Sequence, residues 1–226
     1  PLIVAFDAET DEDIEAIADR LVKLGVPRLT AGCSGFAAVL PRLHDLPAAR
    51  PAPPTPGSPL LVVSGSLHER SVAQLRAAEV RGAPTLAVDP AVIGQPGWRS
   101  TAGRTIVGQL REHGVMVVHS CAGRAASPSL AAALLREMGT LVKEVVDASG
   151  VPTIALFGGD TAFAVVEALG IDALEPLGEI CQGVVASSAH RADGTSEGAR
   201  YLVTKAGGFG PVDVIDRIRG ALAGER

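Results

Sequence analysis

Apolar residues recur along this chain with two rhythms. In one they run continuously. LIVAF (2–6), PLLVVSG (59–65), PTLAVD (84–89), VMVVHS (115–120), PTIALFGG (152–159) and YLVTK (201–205) are short aliphatic runs bounded by glycine, proline or polar residues. That is the pattern of strands buried on both faces. In the other rhythm they return every three or four positions. Ile14, Ile17, Leu21 and Leu24 form the stripe of an amphipathic helix. Thr10 can cap that helix, Asp13 completes a capping-box spacing, and Gly25 ends it. Further helices are predicted over HERSVAQLRAAEVRG (68–82), 98–113, SPSLAAALLREMGTLVKEVVDAS (127–149), DTAFAVVEALG (160–170) and PVDVIDRIRGAL (211–222). RLTAG (28–32) predicts a second short strand, GCSGFAAVL (32–40) a short helix, and DALEPLGEICQGVVASSA (172–189) shorter strands joined by turns.

Strands alternating with helices of this length imply an α/β fold, a mostly parallel sheet with helices on both faces. One stretch breaks the alternation. LPAARPAPPTPGSP (46–59) is dense in proline and forms neither helix nor inner strand, so it reads as a linker. The predicted organisation is therefore a small N-terminal α/β piece over 1–45, a linker over 46–59 and a larger domain over 60–226. Without the rest of a sheet, the N-terminal piece is expected to expose LIVAF and the Ile14/Ile17/Leu21 stripe, a surface on which a homo-oligomer could form.

Composition narrows the chemistry. Of 226 residues only 3% are aromatic, so Val, Leu, Ile and Ala must fill the core. The net charge of −5 comes with no basic cluster, which argues against a nucleic-acid partner. Cys33, Cys121 and Cys181 are odd in number, far apart and without a CxxC pair. They fit free structural thiols in a reducing, cytoplasmic setting rather than a disulfide framework or a zinc site. No run approaches the roughly 18 apolar residues of a membrane span. The first residues carry no signal-peptide pattern, lack Met and begin inside an apolar run, as expected of a piece of something longer.

Three loops are unusually rich in glycine and small polar residues: SGSLH (64–68), FGGDT (157–161) and KAGGFG (205–210). Each follows an aliphatic run and precedes a predicted helix. In an open α/β sheet that is the edge where ligands bind, and exposed amides before a helix favour an anion. The three together point to a phosphate-bearing ligand; each alone has a plainer reading. Ser66 suits a phosphate or ribose, or caps a helix. Asp160 faces ribose hydroxyls or a hydrated metal, or caps. Lys205 meets phosphate, or extends its ammonium to solvent. His68 fits a turn better than a base. His119 and Cys121 alternate along a strand with Ser120 and assemble no triad. GxxxxGK[ST], GxGxxG after a first strand, and GxSxG are all missing, which disfavours a P-loop enzyme, a dinucleotide oxidoreductase and an α/β hydrolase.

GSLHERSVAQ, FGGDTAFAVVEALG, LEPLGEICQGV and YLVTKAGGFG resemble, in order and spacing, motifs of the four-carbon acid sugar kinases, the threonate, erythronate and 3-oxo-tetronate kinases. The opening DAETDEDIEAIADRL…GCSGFAAVL resembles the end of that family's N-terminal substrate-binding domain, and the remainder its C-terminal nucleotide-binding domain. The resemblance implies a kinase that uses ATP and Mg²⁺ to phosphorylate a terminal hydroxyl of a four-carbon sugar acid. It implies ATP contacts at Ser66 and His68, at Gly158, Gly159, Asp160 and Thr161, and at Gly207 and Gly208, with Lys205 beside them; it names no catalytic base. Two departures stand out: His68 where the family often has a second serine, and GGDT where it has GGET. The family's DDxTGA-type motif is missing from the sequence, so this chain is expected to bind ATP and phosphorylate little or nothing by itself. A non-catalytic nucleotide or phosphate sensor is the competing expectation.

Overall fold

The computed structural model describes residues 3–25, 29–46, 58–120, 127–192 and 201–224. It separates into two compact units, Pro1–Arg50 and Pro51–Arg226. Cys121 and most of the proline-rich segment (47–57) lie outside the described residues.

In the N-terminal unit the predicted capping box forms. The Thr10 hydroxyl accepts from the Asp13 amide at 3.2 Å, and the Asp13 carboxylate accepts from the Thr10 amide at 3.0 Å, starting α1 (Asp11–Leu24). Its stripe packs on α2 (Ser34–Leu43): Ala18 and Leu21 meet Val39 and Leu43, with Ile14, Ile17, Phe36 and Leu40 around them. The helical stripe expected to be exposed is thus covered by α2. The two predicted strands are also corrected. Residues 3–6 and 29–32 form no strand, and Ile3, Val4 and Phe6 stand 91%, 60% and 40% exposed. A strand needs a paired neighbour for its backbone groups, and these runs have none among the described residues.

The larger unit is built on one sheet. Its strands are β1 (Leu60–Ser64), β2 (Thr85–Ala87), β3 (Val115–His119), β4 (Thr153–Phe157), β5 (Ala173–Cys181), β6 (Val184–His190) and β7 (Tyr201–Lys205). Their order is β2-β3-β1-β4-β7-β6-β5. The first five in that order run parallel; β6 and β5 pair antiparallel, as a hairpin. The segment read as shorter strands with turns is therefore two strands joined by a tight turn at Gln182–Gly183. β5 bears register shifts between Pro176 and Gly178 and between Glu179 and Cys181.

Side-chain alternation along the inner strands splits the core in two. Leu61, Val63, Ile154 and Leu156 face α4 (Trp98–His113), α5 (Pro128–Ser149) and α6 (Gly159–Leu169), through residues such as Ile106, Met138, Leu141 and Val165. Leu60, Val62, Ala155 and Phe157 face α3 (Glu69–Val80) and α7 (Val214–Leu222), through Leu75, Ala78, Val214 and Ile218. With both faces covered, the strands lose all polar alternation, which is why they read as continuous apolar runs.

Candidate functional site

Parallel register sets where the loops begin. Ser64 lies beside His119 and Phe157, and Phe157 beside Lys205, so β1, β3, β4 and β7 end in one row. From that row the chain leaves in opposite directions. β1 and β7 lead to α3 and α7 on one face, while β4 between them leads to α6 on the other. Divergence of neighbouring connections opens a crevice at the carboxyl ends of the strands.

A cleft of about 470 Å³ occupies that crevice, lined by Gly65, Ser66, Leu67, Ser120, Ala131, Leu134, Leu135, Gly158, Gly159, Asp160, Thr161 and Gly207. A larger depression, about 620 Å³, follows α3, but apart from Leu67 and Arg81 its lining comes from that helix alone. Of these two, the cleft is the one that gathers residues from loops following several strands.

Six of the nine site residues expected from the sequence share the cleft: Ser66, Gly158, Gly159, Asp160, Thr161 and Gly207. Gly158 has φ +102° and ψ 138°, a conformation open to glycine and little else. It is the N-cap of α6 and makes no side-chain cap bond; Asp160 follows in the first turn, exposed, at the positive end of the helix. Asp160 is therefore not the cap. Thr161 is 2% exposed and ties two loops together, its hydroxyl accepting from the Gly65 amide at 3.0 Å. A side chain at Gly65 would drive a Cβ to 2.5 Å from that hydroxyl, whereas one at Gly159 would meet nothing within 4 Å.

The remaining three are outside this lining: His68 and Gly208 are exposed and Lys205 is buried. His68, not Ser66, caps α3: its Nδ1 accepts from the Arg70 amide at 3.2 Å, and the Ser66 hydroxyl accepts from the His68 amide at 3.3 Å. A proton on Nε2 is the tautomer this cap requires. The ring lies against the glycine loop, where a Cβ on Gly208 would sit 3.2 Å from Nε2. Lys205 is 2% exposed. It neither extends to solvent nor lines the cleft. Its ammonium donates to the Ser71 hydroxyl at 3.1 Å and to the carbonyls of Ala206, Gly207 and Phe209 at 3.0, 3.1 and 3.3 Å.

Sequence reading missed Ser71 and Gln74, both buried on α3. Ser71 donates to the Gly207 carbonyl at 3.0 Å, and the Gln74 amide reaches the carbonyls of Phe209, Gly210 and Pro211 at 3.0, 2.9 and 2.9 Å. Two polar residues three apart on a helix face turned toward the core were the available signal. The apolar wall of Ala131, Leu134 and Leu135 was legible as an i, i+3, i+4 stripe on α5.

The cleft thus combines an apolar wall, amides at a helix N-terminus, two serine hydroxyls and one carboxylate, with no lysine or arginine among the described residues of its lining. Such a set suits a ligand with an apolar or aromatic part and an anionic part held by backbone. Among the described residues, no three His, Cys, Asp or Glu side chains gather to hold a metal ion, and no helix is long and apolar enough to cross a membrane.

Residues 61–215 match the family model of a nucleotide-binding C-terminal domain. The chain is 30% identical over 228 residues to a D-threonate kinase of Bordetella bronchiseptica, covering 99% of this chain and 53% of that protein. It is 32% identical over 216 residues to a D-threonate kinase of Cupriavidus necator, covering 92% and 50%. It therefore spans about half the length of these curated relatives. A domain of unknown function (DUF1537) from Bordetella bronchiseptica, crystallised with bound citrate as a domain-swapped dimer, superposes with TM-score 0.62 at 29% identity over 97% of this chain and 53% of that one. Haemophilus influenzae protein HI1011, assigned to DUF1537, shares the fold at TM-score 0.72 and 21% identity over 96% of this chain and 52% of that one. The chain belongs to the four-carbon acid sugar kinase family, whose nucleotide-binding C-terminal domain it carries.

Proposed function

We propose that this chain binds ATP in the cleft at the ends of β1, β4 and β7, as the nucleotide-binding part of a kinase. That kinase transfers the γ-phosphoryl group to a terminal hydroxyl of a four-carbon sugar acid. The observation that carries the reading is the convergence of Ser66, Gly158–Thr161 and Gly207 on one cleft in a chain whose family is a nucleotide-binding one. The polyphosphate is assigned to the glycine loops and the N-terminus of α6, where amides and the helix dipole compensate its charge. The base is assigned to the apolar wall on α5. Open space around Gly159 leaves room for a phosphate where a side chain would stand. Mg²⁺ fits this arrangement as an ion carried by the nucleotide phosphates, with Asp160 the one carboxylate among the described residues of the lining; bound there it would offset phosphate charge. The residues of this chain then bind and orient the donor, which is much of what phosphoryl transfer asks of a protein.

Calorimetric titration with ATP, with and without Mg²⁺, tests the reading on the chain and on Gly159→Val. Saturable binding, lost in a variant that melts as the parent does, is the expected result. A folded parent that binds no ATP overturns it. The sequence holds no DDxTGA-type motif, so acid-sugar phosphorylation by these 226 residues is expected to be negligible; brisk turnover would refute that part. Homo-oligomer formation through the exposed Ile3, Val4 and Phe6 completes the proposal, and light scattering that finds a monomer both with and without residues 1–50 would sink it.

A further inference from the structure

Below the 205–211 segment, every donor that reaches it points at a carbonyl. Lys205 takes those of Ala206, Gly207 and Phe209, Ser71 that of Gly207, and Gln74 those of Phe209, Gly210 and Pro211. In a trans peptide the N–H points opposite to the preceding C=O. Pinning the carbonyls of Ala206 and Gly207 inward therefore turns the amides of Gly207 and Gly208 away from the buried lysine. We infer that Lys205 is a positioning residue for the nucleotide site: from beneath, it sets the glycine loop so that these amides face the phosphates, and it contacts no phosphate itself. This rests on the nucleotide reading above.

Its charge matters to that task. An ammonium has three N–H groups to spread over its four oxygen neighbours, whereas a neutral amine has two and turns a lone pair toward one of those oxygens. Burial, reinforced by Arg70, lowers the Lys205 ammonium from the usual 10.5 to about 8. Other charged and polar groups surround it. The Arg70 guanidinium on α3 also reaches the Gly210 carbonyl at 3.4 Å. Phe157 on β4 presents its ring, with the nitrogen 4.8 Å from the centroid. Cys181 on β5 is a thiol that burial pushes up, away from this range. At the start of α7, Asp213 and Arg217 are paired with each other at 3.1 Å. Loosening of the loop above pH 8 therefore belongs to Lys205.

The test is ATP affinity of the full chain from pH 7.5 to 9, where ATP itself no longer titrates, for the wild type and Lys205→Met. If the ammonium form alone holds the loop, wild-type affinity falls about eightfold over that interval, while the variant binds weakly with a flat profile. A flat wild-type profile, or an equal slope in the variant, overturns the inference. A nucleotide-free measurement separates it from the ATP reading, and both wild-type measurements stand even if Lys205→Met fails to fold. In the wild type the amide nitrogen shifts of Gly207 and Gly208 should inflect together near pH 8. Inflection without ATP binding at any pH keeps the positioning role and removes the nucleotide reading. ATP binding without inflection removes the positioning role alone.

Discussion

The two glycine-rich loops FGGDT and KAGGFG are alike in composition and unlike in what holds them. In FGGDT the backbone makes the demand: Gly158 sits at φ +102°, and one buried hydroxyl, that of Thr161, ties the loop to its neighbour. In KAGGFG the conformational demand falls on the last glycine, Gly210 at φ +78°, while Gly207 and Gly208 have ordinary φ values. They are glycine because a Cβ there would press to 3.0 and 3.2 Å from His68. Buried donors on a strand end and a helix hold that loop from below. Glycine richness is thus two signals, one for conformation and one for close approach, and they break differently.

Gly158→Ala strikes the conformational signal and should cost most, about 3 kcal/mol in urea unfolding; a loss under about 1 kcal/mol would mean that the loop relaxes to an ordinary conformation. Thr161→Val leaves the Gly65 amide without its acceptor and should cost about 1–3 kcal/mol, with wild-type stability arguing that water replaces the hydroxyl. Lys205 provides a comparison that depends on pH. Its folded pKa of about 8 lies below the ordinary 10.5, so between those values the unfolded chain binds more protons and this group's contribution to stability rises with pH. The stability of the wild type relative to Lys205→Met should therefore climb from pH 8 to 10, opposite in direction to the affinity. His68→Ala removes a cap and should cost about 1 kcal/mol, also freeing space at Gly207. Gly159→Ala, which meets open space, should change stability by less than about 0.5 kcal/mol while weakening ATP binding. A large stability loss there would erase the distinction between the loops' glycines and the site they serve.

Legibility in the sequence followed packing. β1, β3, β4 and β7 announce themselves because both their faces are buried, leaving uninterrupted aliphatic runs such as Leu60–Val63. Residues 3–6, within LIVAF, have the same character and form no strand, because composition carries no information about whether a neighbouring strand exists. Six cleft residues were legible because glycine and small polar residues after a strand mark a loop that approaches something. The fate of Lys205 was not legible. Its partner Ser71, and Gln74 which holds the same loop, are far away in sequence, and only the packing of α3 beside β7's loop converts a loop cation into an internal brace.

The β5–β6 hairpin bears on solubility. Without it β7 would be the outermost strand, offering Leu202 and Val203, now fully buried, along an unpaired, unbroken ribbon that another chain could extend. With it, the outermost strand is β5, which carries Pro176, two register shifts and the glutamates at 175 and 179; at the opposite margin β2 has only three residues. Both margins are poor templates for cross-chain pairing. A chain trimmed of residues 173–190 would therefore be expected to precipitate as a sheet-rich aggregate before its ligand affinity could be measured.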